Sequence, residues 1–305
     1  MHARRAIAWV VPAAVVGSIT LTAPLAGQSV APHPMLVAVN EELARQGHTI
    51  RVETAEYFTS GDGDLVGQTI FANDRGNKQL GHHFIPGDPR RGGVTDIAWI
   101  VDRVDGVTAS GLTSDDTTAA IDGAMATWQG ANCSTIPLTS LGAVDADLGL
   151  VQFQLGFGGS PDIAADVSHA GWLPAPFFDL VAPGGSTSIL GVTFTFIFVD
   201  PVTADPTDLD GNGKLDTAFR EIYYNDNFEW RVDGGNVDVE TVALHESGHG
   251  LSQAHFGKIF RTEANGKLHF APFAVMNAAY SRTHRTLTGT DNGGHCSIWG
   301  AWPTR

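Results

Sequence analysis

The sequence predicts an α+β fold, in which a twisted mixed sheet lies above a helix that carries several histidines. Residues 97–101 are apolar, and residues 192–198 place threonines between valine and phenylalanines, so both segments predict strands. Residues 151–157 alternate in the same way and predict another strand. Apolar residues recur at helical spacing over 114–128, and a further helix is predicted to carry His245 and His249. This order of elements is typical of a sheet with helices packed against it.

The first helix of this series is predicted to begin at Ser114. Serine is a favoured helix cap, and Asp115 and Asp116 place negative charge in the first turn. Apolar residues then follow three or four positions apart, which puts them on one face of the helix. They are Ile121, Ala124, Met125 and Trp128. We interpret this face as part of the core rather than as a cofactor site.

The N-terminus has the pattern of an export signal. Residues 1–28 combine a basic start, an apolar run and small residues near its end, which predicts a secretory signal peptide. An uncleaved membrane anchor is the alternative for the same segment. No other stretch of the sequence is long and apolar enough to span a bilayer. The sequence therefore predicts a secreted protein without a stable membrane span.

The rest of the chain is predicted to divide near residue 95. Residues 29–95 predict an N-terminal extension or pro-segment, with a short helix over 35–45 and a strand over 49–54. The pair Arg90-Arg91 lies in a predicted exposed loop and is a candidate cleavage site for removing that segment. Residues 96–305 are predicted to form the main domain.

Composition restricts the classes of partner. The chain has 305 residues, 43% of them hydrophobic, and its net charge is −15 because 33 acidic residues oppose 18 basic ones. This content is typical of a globular protein, and the charge argues against nucleic acid or an anionic membrane as partner. It fits an exported protein that remains soluble and can bind calcium.

Cys133 and Cys296 are the only cysteines. In an exported chain an even number of cysteines favours a disulfide. Two buried thiols are the alternative.

The sequence H-E-x-x-H occurs at His245, Glu246 and His249, and His255 follows six residues later. On a helix, His245 and His249 lie one turn apart on the same face, where their imidazoles can bind one zinc ion. Glu246 is placed to act on a water held by the metal. His255 reaches the same point only if the chain turns sharply after His249, and Gly248 and Gly250 are expected to weaken the helix there. Three protein ligands leave a fourth position open, which is typical of catalytic zinc.

These residues resemble the metzincin signature H-E-x-x-H-x-x-G-x-x-H, with Ser252 at the position of the glycine. Met276, followed by Tyr280 four residues later, resembles the Met-turn of matrixins, here of the bacterial type. The resemblance covers residues 96–305. It implies a zincin-like catalytic domain with an active-site helix, a methionine that lies beneath the zinc without binding it, and a tyrosine that supports the turn or the site. A serine in a left-handed conformation costs about 1 kcal/mol more than glycine.

A second metal-binding pattern precedes the histidines. Asp208, Asp210, Asn212 and Asp216 follow the spacing D-x-D-x-N-G-x-x-D, which places oxygen ligands around a calcium ion. The twelfth position is Phe219 instead of the glutamate of an EF-hand, so an additional ligand is expected from elsewhere. An acidic turn without metal is the alternative. The next residues, 221–226, resemble the matrixin edge strand, where a peptide substrate pairs by strand addition.

Together the motifs predict a secreted zinc-dependent endopeptidase that acts on protein or peptide substrates, with Glu246 as general base. Two other functions use the same residues. One is a catalytically silent zinc-binding module for adhesion or scaffolding, which would not need Glu246. The other is a zinc hydrolase of non-peptide amides or esters, against which the expected edge strand argues.

Overall fold

The computed structural model describes residues 32–63, 66–72 and 81–304. The predicted signal peptide lies outside the described residues. The described part belongs to one compact unit that begins at Pro32. Its helices are α1 Pro34–Arg45, α2 Ser114–Gln129, α3 Leu150–Leu155, α4 Ala175–Val181, α5 Val239–Gly250 and α6 Gly289–Trp299. Its strands are β1 Ile50–Thr59, β2 Thr69–Phe71, β3 His82–His83, β4 Ile97–Asp102, β5 Leu138–Val144, β6 Val167–Leu173, β7 Ile189–Phe198, β8 Leu215–Asn225, β9 Lys258–Arg261 and β10 Leu268–Ala271.

The fold is α+β, as predicted, and its main sheet is mixed. The strand order is β2-β1-β7-β8-β6-β4-β5, and β3 pairs with β8 beside this path. Strands β5, β4, β6 and β8 are parallel, whereas β7 and β1 run antiparallel to their neighbours. Strands β9 and β10 form a separate antiparallel hairpin. Among the described residues, no helix has the length and apolar character needed to cross a membrane.

Helices cover both faces of the main sheet, because its strands are apolar on both sides. Trp99 and Val101 belong to one cluster with α2 and α5, while Ile100 between them belongs to the cluster with α1, α3 and α4. Neighbouring strand residues point to opposite faces, so each strand supplies both layers. The indole nitrogen of Trp128 on α2 donates to the carbonyl of Leu244 at 2.8 Å, which fixes α5 beneath the sheet.

Several predicted elements are confirmed. Helix α1 and strands β1, β4 and β7 lie where the sequence predicted them. Helix α2 also forms, but Thr113 caps it rather than Ser114. The Thr113 hydroxyl accepts from the Asp116 amide, and the Asp116 carboxylate accepts from the Thr113 amide, so the two residues form a capping box.

The strand predicted over 151–157 is wrong, because this segment forms the helix α3. The carboxylate of Glu221 on β8 accepts hydrogen bonds from the amides of Leu150 and Val151 at 2.7 and 3.0 Å. A buried carboxylate at the first turn satisfies free backbone donors and favours the helix. Gly156 ends it in a left-handed conformation. The alternating pattern therefore does not correspond to alternating burial, and Phe153 is exposed.

The edge strand expected at 221–226 is also wrong. These residues belong to β8, which pairs with β6 on one side and β7 on the other. The edge on that side is occupied by the N-terminal segment, since β1 pairs with β7 over its whole length and β2 pairs with β1. The boundary predicted at residue 95 thus does not separate two compact units. Whether the N-terminal segment is removed stays a prediction.

The Arg90-Arg91 pair does not lie in an irregular loop, although Arg90 is exposed. Both residues lie in a short 3-10 helix, and each guanidinium is held by carboxylates. Arg90 contacts Asp88 and Asp216, and Arg91, whose side chain is 2% exposed, contacts Asp166. A protease would have to unfold this segment before cutting it.

The two cysteines lie at disulfide distance, with 5.5 Å between the Cα atoms of Cys133 and Cys296. Cys133 follows α2 and Cys296 lies in α6, so the bond connects the segment after α2 to the last helix. The cysteines are 163 positions apart in the sequence. Closing so long a loop contributes at most about 5 kcal/mol in the chain-entropy model.

We expect no free thiol in the denatured, unreduced protein, and a lower melting temperature after reduction. Thiol titration and thermal melts with and without reductant measure both effects. The double variant Cys133→Ser with Cys296→Ser is the control, and its melting temperature should not respond to reductant. Two titratable thiols in the unreduced protein would contradict the bond.

Candidate metal centre

Helix α5 is buried on all sides, which explains its unusual composition. Its N-cap is Asp238, whose carboxylate accepts from the Thr241 amide at 2.8 Å and pairs with Arg285. At the other end, the guanidinium of the buried Arg220 donates to the Gly250 carbonyl at 2.9 Å. A negative group at the N-terminus and a positive one at the C-terminus stabilise a helix and satisfy its free backbone groups.

Close packing requires the glycines of α5. A Cβ atom on Gly248 would lie 2.3 Å from the sulfur of Met276 and 2.9 Å from the ring of Trp128. Gly250 similarly faces Val167 at 3.1 Å. The left-handed residue of this region is Ser252 instead, with φ of 67°. Helix α5 ends at Gly250, and whether the two glycines also weaken the helix stays a prediction.

The turn after α5 brings His255 back towards the helix. The Gln253 amide donates to the Gly248 carbonyl at 2.8 Å, and the Ser252 amide donates to the His249 carbonyl at 3.0 Å. The left-handed conformation of Ser252 costs free energy. A hydrogen bond of 3.2 Å between its hydroxyl and Nδ1 of His83 offsets part of that cost. The strained serine is the residue that reverses the chain.

The Nε2 atoms of His245, His249 and His255 converge on one point. They lie 3.1, 3.2 and 3.3 Å from one another. The Nδ1 atoms of His245 and His249 face the carbonyl oxygens of Val275 and Gln253 at 2.7 and 2.8 Å. A carbonyl can only accept, so in both rings Nδ1 carries a hydrogen, and in the neutral form of each ring Nε2 is the lone pair that a metal can bind.

This donor set fits a zinc ion. Tetrahedral zinc with bonds of 2.0–2.1 Å to nitrogen needs its ligand nitrogens about 3.3 Å apart. Lone pairs at that separation repel each other unless a cation lies between them. The three histidines could thus hold zinc as a group, and the carbonyls of Val275 and Gln253 orient two of the rings.

Glu246 lies beside this point and is fully buried. Its Oε2 accepts from the Thr193 hydroxyl at 2.6 Å, while Oε1 has no hydrogen-bond partner among the described residues. A Cβ atom on Gly191 would lie 2.8 Å from Oε1, so β7 can approach only because this residue is glycine. Burial raises the pKa of Glu246 to about 8. A bound cation acts in the opposite direction.

Two further residues of the centre come from β1, and sequence reasoning missed both. The Glu56 carboxylate lies 3.3 Å from Nδ1 of His249, and the Phe58 ring stacks on His245 with 3.9 Å between centroids. Burial lowers the pKa of His249, but the charge and hydrogen bond of Glu56 outweigh it, so the net shift is upward. The signal that could have pointed to Glu56 was a charged residue within a strand whose other residues are almost all buried.

Met276 lies against the helix, as the contact with Gly248 shows. Its turn is held by Asp291 on α6, whose carboxylate accepts from the amides of Val275 and Met276 at 3.0 and 3.2 Å. Tyr280 lies at the start of α5 rather than among the histidines. Its hydroxyl accepts from the Asp238 amide and donates to Asn236.

The predicted calcium loop also comes together. Ligand oxygens of Asp208, Asp210 and Asp216 lie within 4.8 Å of one another. The Asn212 side-chain oxygen is occupied by the Lys214 amide at 2.8 Å, and Asp216 pairs with Arg90 at 2.7 Å. Gly211 and Gly213 both have positive φ, which the tight turn requires.

The volume of a cavity does not identify the candidate metal centre in this structure. A cleft of about 870 Å³ lies beside Tyr280, and none of the three histidines lines it. His255 lines a smaller cavity of about 100 Å³ together with Gln253, Met276 and Asp291. We base the functional assignment on the converging ligand atoms, because metal chemistry depends on donor geometry and not on volume.

The chain matches no protein-family model and no curated protein.

The contact with Glu56 predicts that Glu56→Gln weakens zinc binding by about tenfold, since loss of an outer carboxylate typically costs 10–100-fold in metal affinity. Competition with a chromophoric chelator measures this directly, without any assay of activity. Glu221→Gln is the matched control, because it also neutralises a buried carboxylate but touches α3 instead of a histidine. Equal zinc affinities for wild type and Glu56→Gln would contradict a role for Glu56.

Proposed function

We propose that this protein is an exported zinc-dependent endopeptidase of the metzincin type, closest to the bacterial matrixins. The observation that carries the proposal is the convergence of three histidine Nε2 atoms beside a buried glutamate oxygen that has no hydrogen-bond partner among the described residues. An unpaired buried carboxylate oxygen is costly unless a ligand or substrate engages it. The resemblance of residues 245–255 and of the turn around Met276 supports the family, and the left-handed Ser252 fits the position of the signature glycine.

Zinc, when bound, supplies a Lewis acid that polarises a carbonyl and makes water acidic near neutral pH. His245, His249 and His255 would hold it, and the carbonyls of Val275 and Gln253 orient two of the rings with Nε2 towards the common point. Thr193 fixes one oxygen of Glu246. The other oxygen, Oε1, is then the atom that accepts a proton from the attacking water and returns it to the leaving amine.

Two alternative functions predict different results in one experiment. A silent zinc-binding module would bind zinc and cleave nothing. A hydrolase of non-peptide amides or esters would cleave a small model ester but not a protein. Residues 221–225 do not favour a peptide substrate, because they belong to β8, which is internal. A digest of an unfolded protein with and without chelator, run beside a model ester, separates the three functions.

The secreted location is part of the proposal. The disulfide-distance cysteine pair is compatible with an oxidising compartment. The signal peptide itself rests on the sequence of residues 1–28.

Two variants separate proton transfer from metal binding. Glu246→Ala should keep zinc and fold but lose most cleavage, because general-base catalysis contributes about 10²–10⁴-fold. His249→Ala should lose zinc together with activity, because it removes a ligand. Elemental analysis and digestion of an unfolded protein on the same samples measure both. Wild-type cleavage by Glu246→Ala would refute the mechanism, even if zinc is present.

Calcium is the second ion in the proposal, held by Asp208, Asp210 and Asp216 with Asn212 shaping the loop. Added calcium should raise the melting temperature, since an ion bound only by the folded state stabilises it. Asp210→Ala should remove most of this response, whereas Asp205→Ala, an exposed acid just outside the loop, should leave it unchanged. A full calcium response in Asp210→Ala would move the ion elsewhere. The cluster of Asp102, Asp105 and Asp147 would then be tested next.

A further inference from the structure

The cleft beside Tyr280 is not used by the chemistry described above. It is about 870 Å³ in volume and lies between residues 265–270 of the β9–β10 hairpin, residues 60–62 and residues 280–282. Tyr280 forms part of its wall. The Tyr280 ring lies 6.1 Å from Phe58, which stacks on His245, so the cleft begins two ring contacts from the candidate metal centre.

The charge of this cleft is opposite to that of the chain. Arg261, Lys267 and Arg282 line it, and among the described lining residues Asp62 is the single carboxylate. The whole chain carries a net charge of −15. Three cations in one concave surface of an acidic protein attract negatively charged ligands and oppose the average field of the molecule.

The three cations are not neutralised within the described part of the chain. The guanidinium of Arg261 donates only to carbonyl oxygens, those of Gly61, Gly63 and Gly266. Arg282 lies over the Phe273 ring at 4.3 Å. None of the ion pairs among the described residues includes Arg261, Lys267 or Arg282. Their positive charge is therefore available to a ligand.

The remaining lining of the cleft suits a peptide rather than a small anion. Phe228, Phe270 and Phe273 supply apolar and aromatic surface along it. Strand β10 pairs with β9 on one side and has no other strand partner among the described residues. An extended chain could add to that open edge through backbone hydrogen bonds while its side chains reach the cations.

We propose that the cleft binds an extended acidic peptide segment of the substrate, in which Asp or Glu side chains meet Lys267 and Arg282 and apolar ones meet the phenylalanines. The proposal rests on the peptidase function and names its substrate class. Arg261 has a different role. Its guanidinium donates to the carbonyls of Gly61 and Gly63, so it holds the hairpin against this segment and shapes the cleft.

The test uses the full-length, zinc-loaded Glu246→Ala variant, so that peptides bind without being cut. A fluorescent peptide that alternates Glu with Phe is compared with one that has Gln in place of every Glu. Anisotropy should show the acidic peptide binding at least about tenfold more tightly at low salt, with the difference shrinking at high salt. The double change Lys267→Glu with Arg282→Glu should abolish that preference.

The control is Lys258→Glu, an equally exposed cation on the same hairpin that does not line the cleft. It should leave the preference unchanged. Equal binding of the two peptides, or an equal loss in Lys258→Glu, would overturn the proposal. Cleavage of an unfolded protein by the wild type is scored separately. Cleavage without acidic preference removes only the cleft assignment, whereas acidic preference without cleavage removes only the peptidase.

Discussion

The structure depends on one electrostatic constraint: the Nε2 atoms of three histidines point at each other across about 3 Å. Without a cation this arrangement is repulsive, and several costly features maintain it. Ser252 is left-handed, two backbone carbonyls are committed to histidine rings, and Gly248 and Gly250 give up side-chain packing. A metal ion bound at the centre would offset these costs, because its binding free energy adds to that of folding.

The constraint also explains how far the motif could be interpreted from sequence alone. His245, Glu246, His249 and His255 lie within eleven consecutive residues, so helix geometry and one turn are sufficient to predict that they meet. Glu56 and Gly191 contribute through sheet pairing and lie far away in the chain. Local spacing carries no information about such contacts, and only the strand order reveals them.

The same distinction separates the correct elements from the incorrect ones. Strands β4 and β7 were predicted because their apolar residues fill the core directly. Helix α3 was missed because Glu221, on a distant strand, satisfies its first amides, and this tertiary contact overrides the alternating pattern. Strand β8 was expected at an edge, but the sequence does not show that β1 pairs with β7 and extends the sheet on that side.

Strand β1 therefore bears on two interpretations of the N-terminal segment. If residues 29–95 are an extension, Glu56 and Phe58 are permanent parts of the centre, which accounts for their burial against His249 and His245. If they are a pro-segment, removal takes both residues away and uncovers the whole pairing edge of β7 beside Gly191 and Thr193. An uncovered edge is a template for an added strand, and here it would lie next to Glu246. The two interpretations thus differ in whether β1 supports the metal or occupies the place of another strand, and the Glu56–His249 contact favours support.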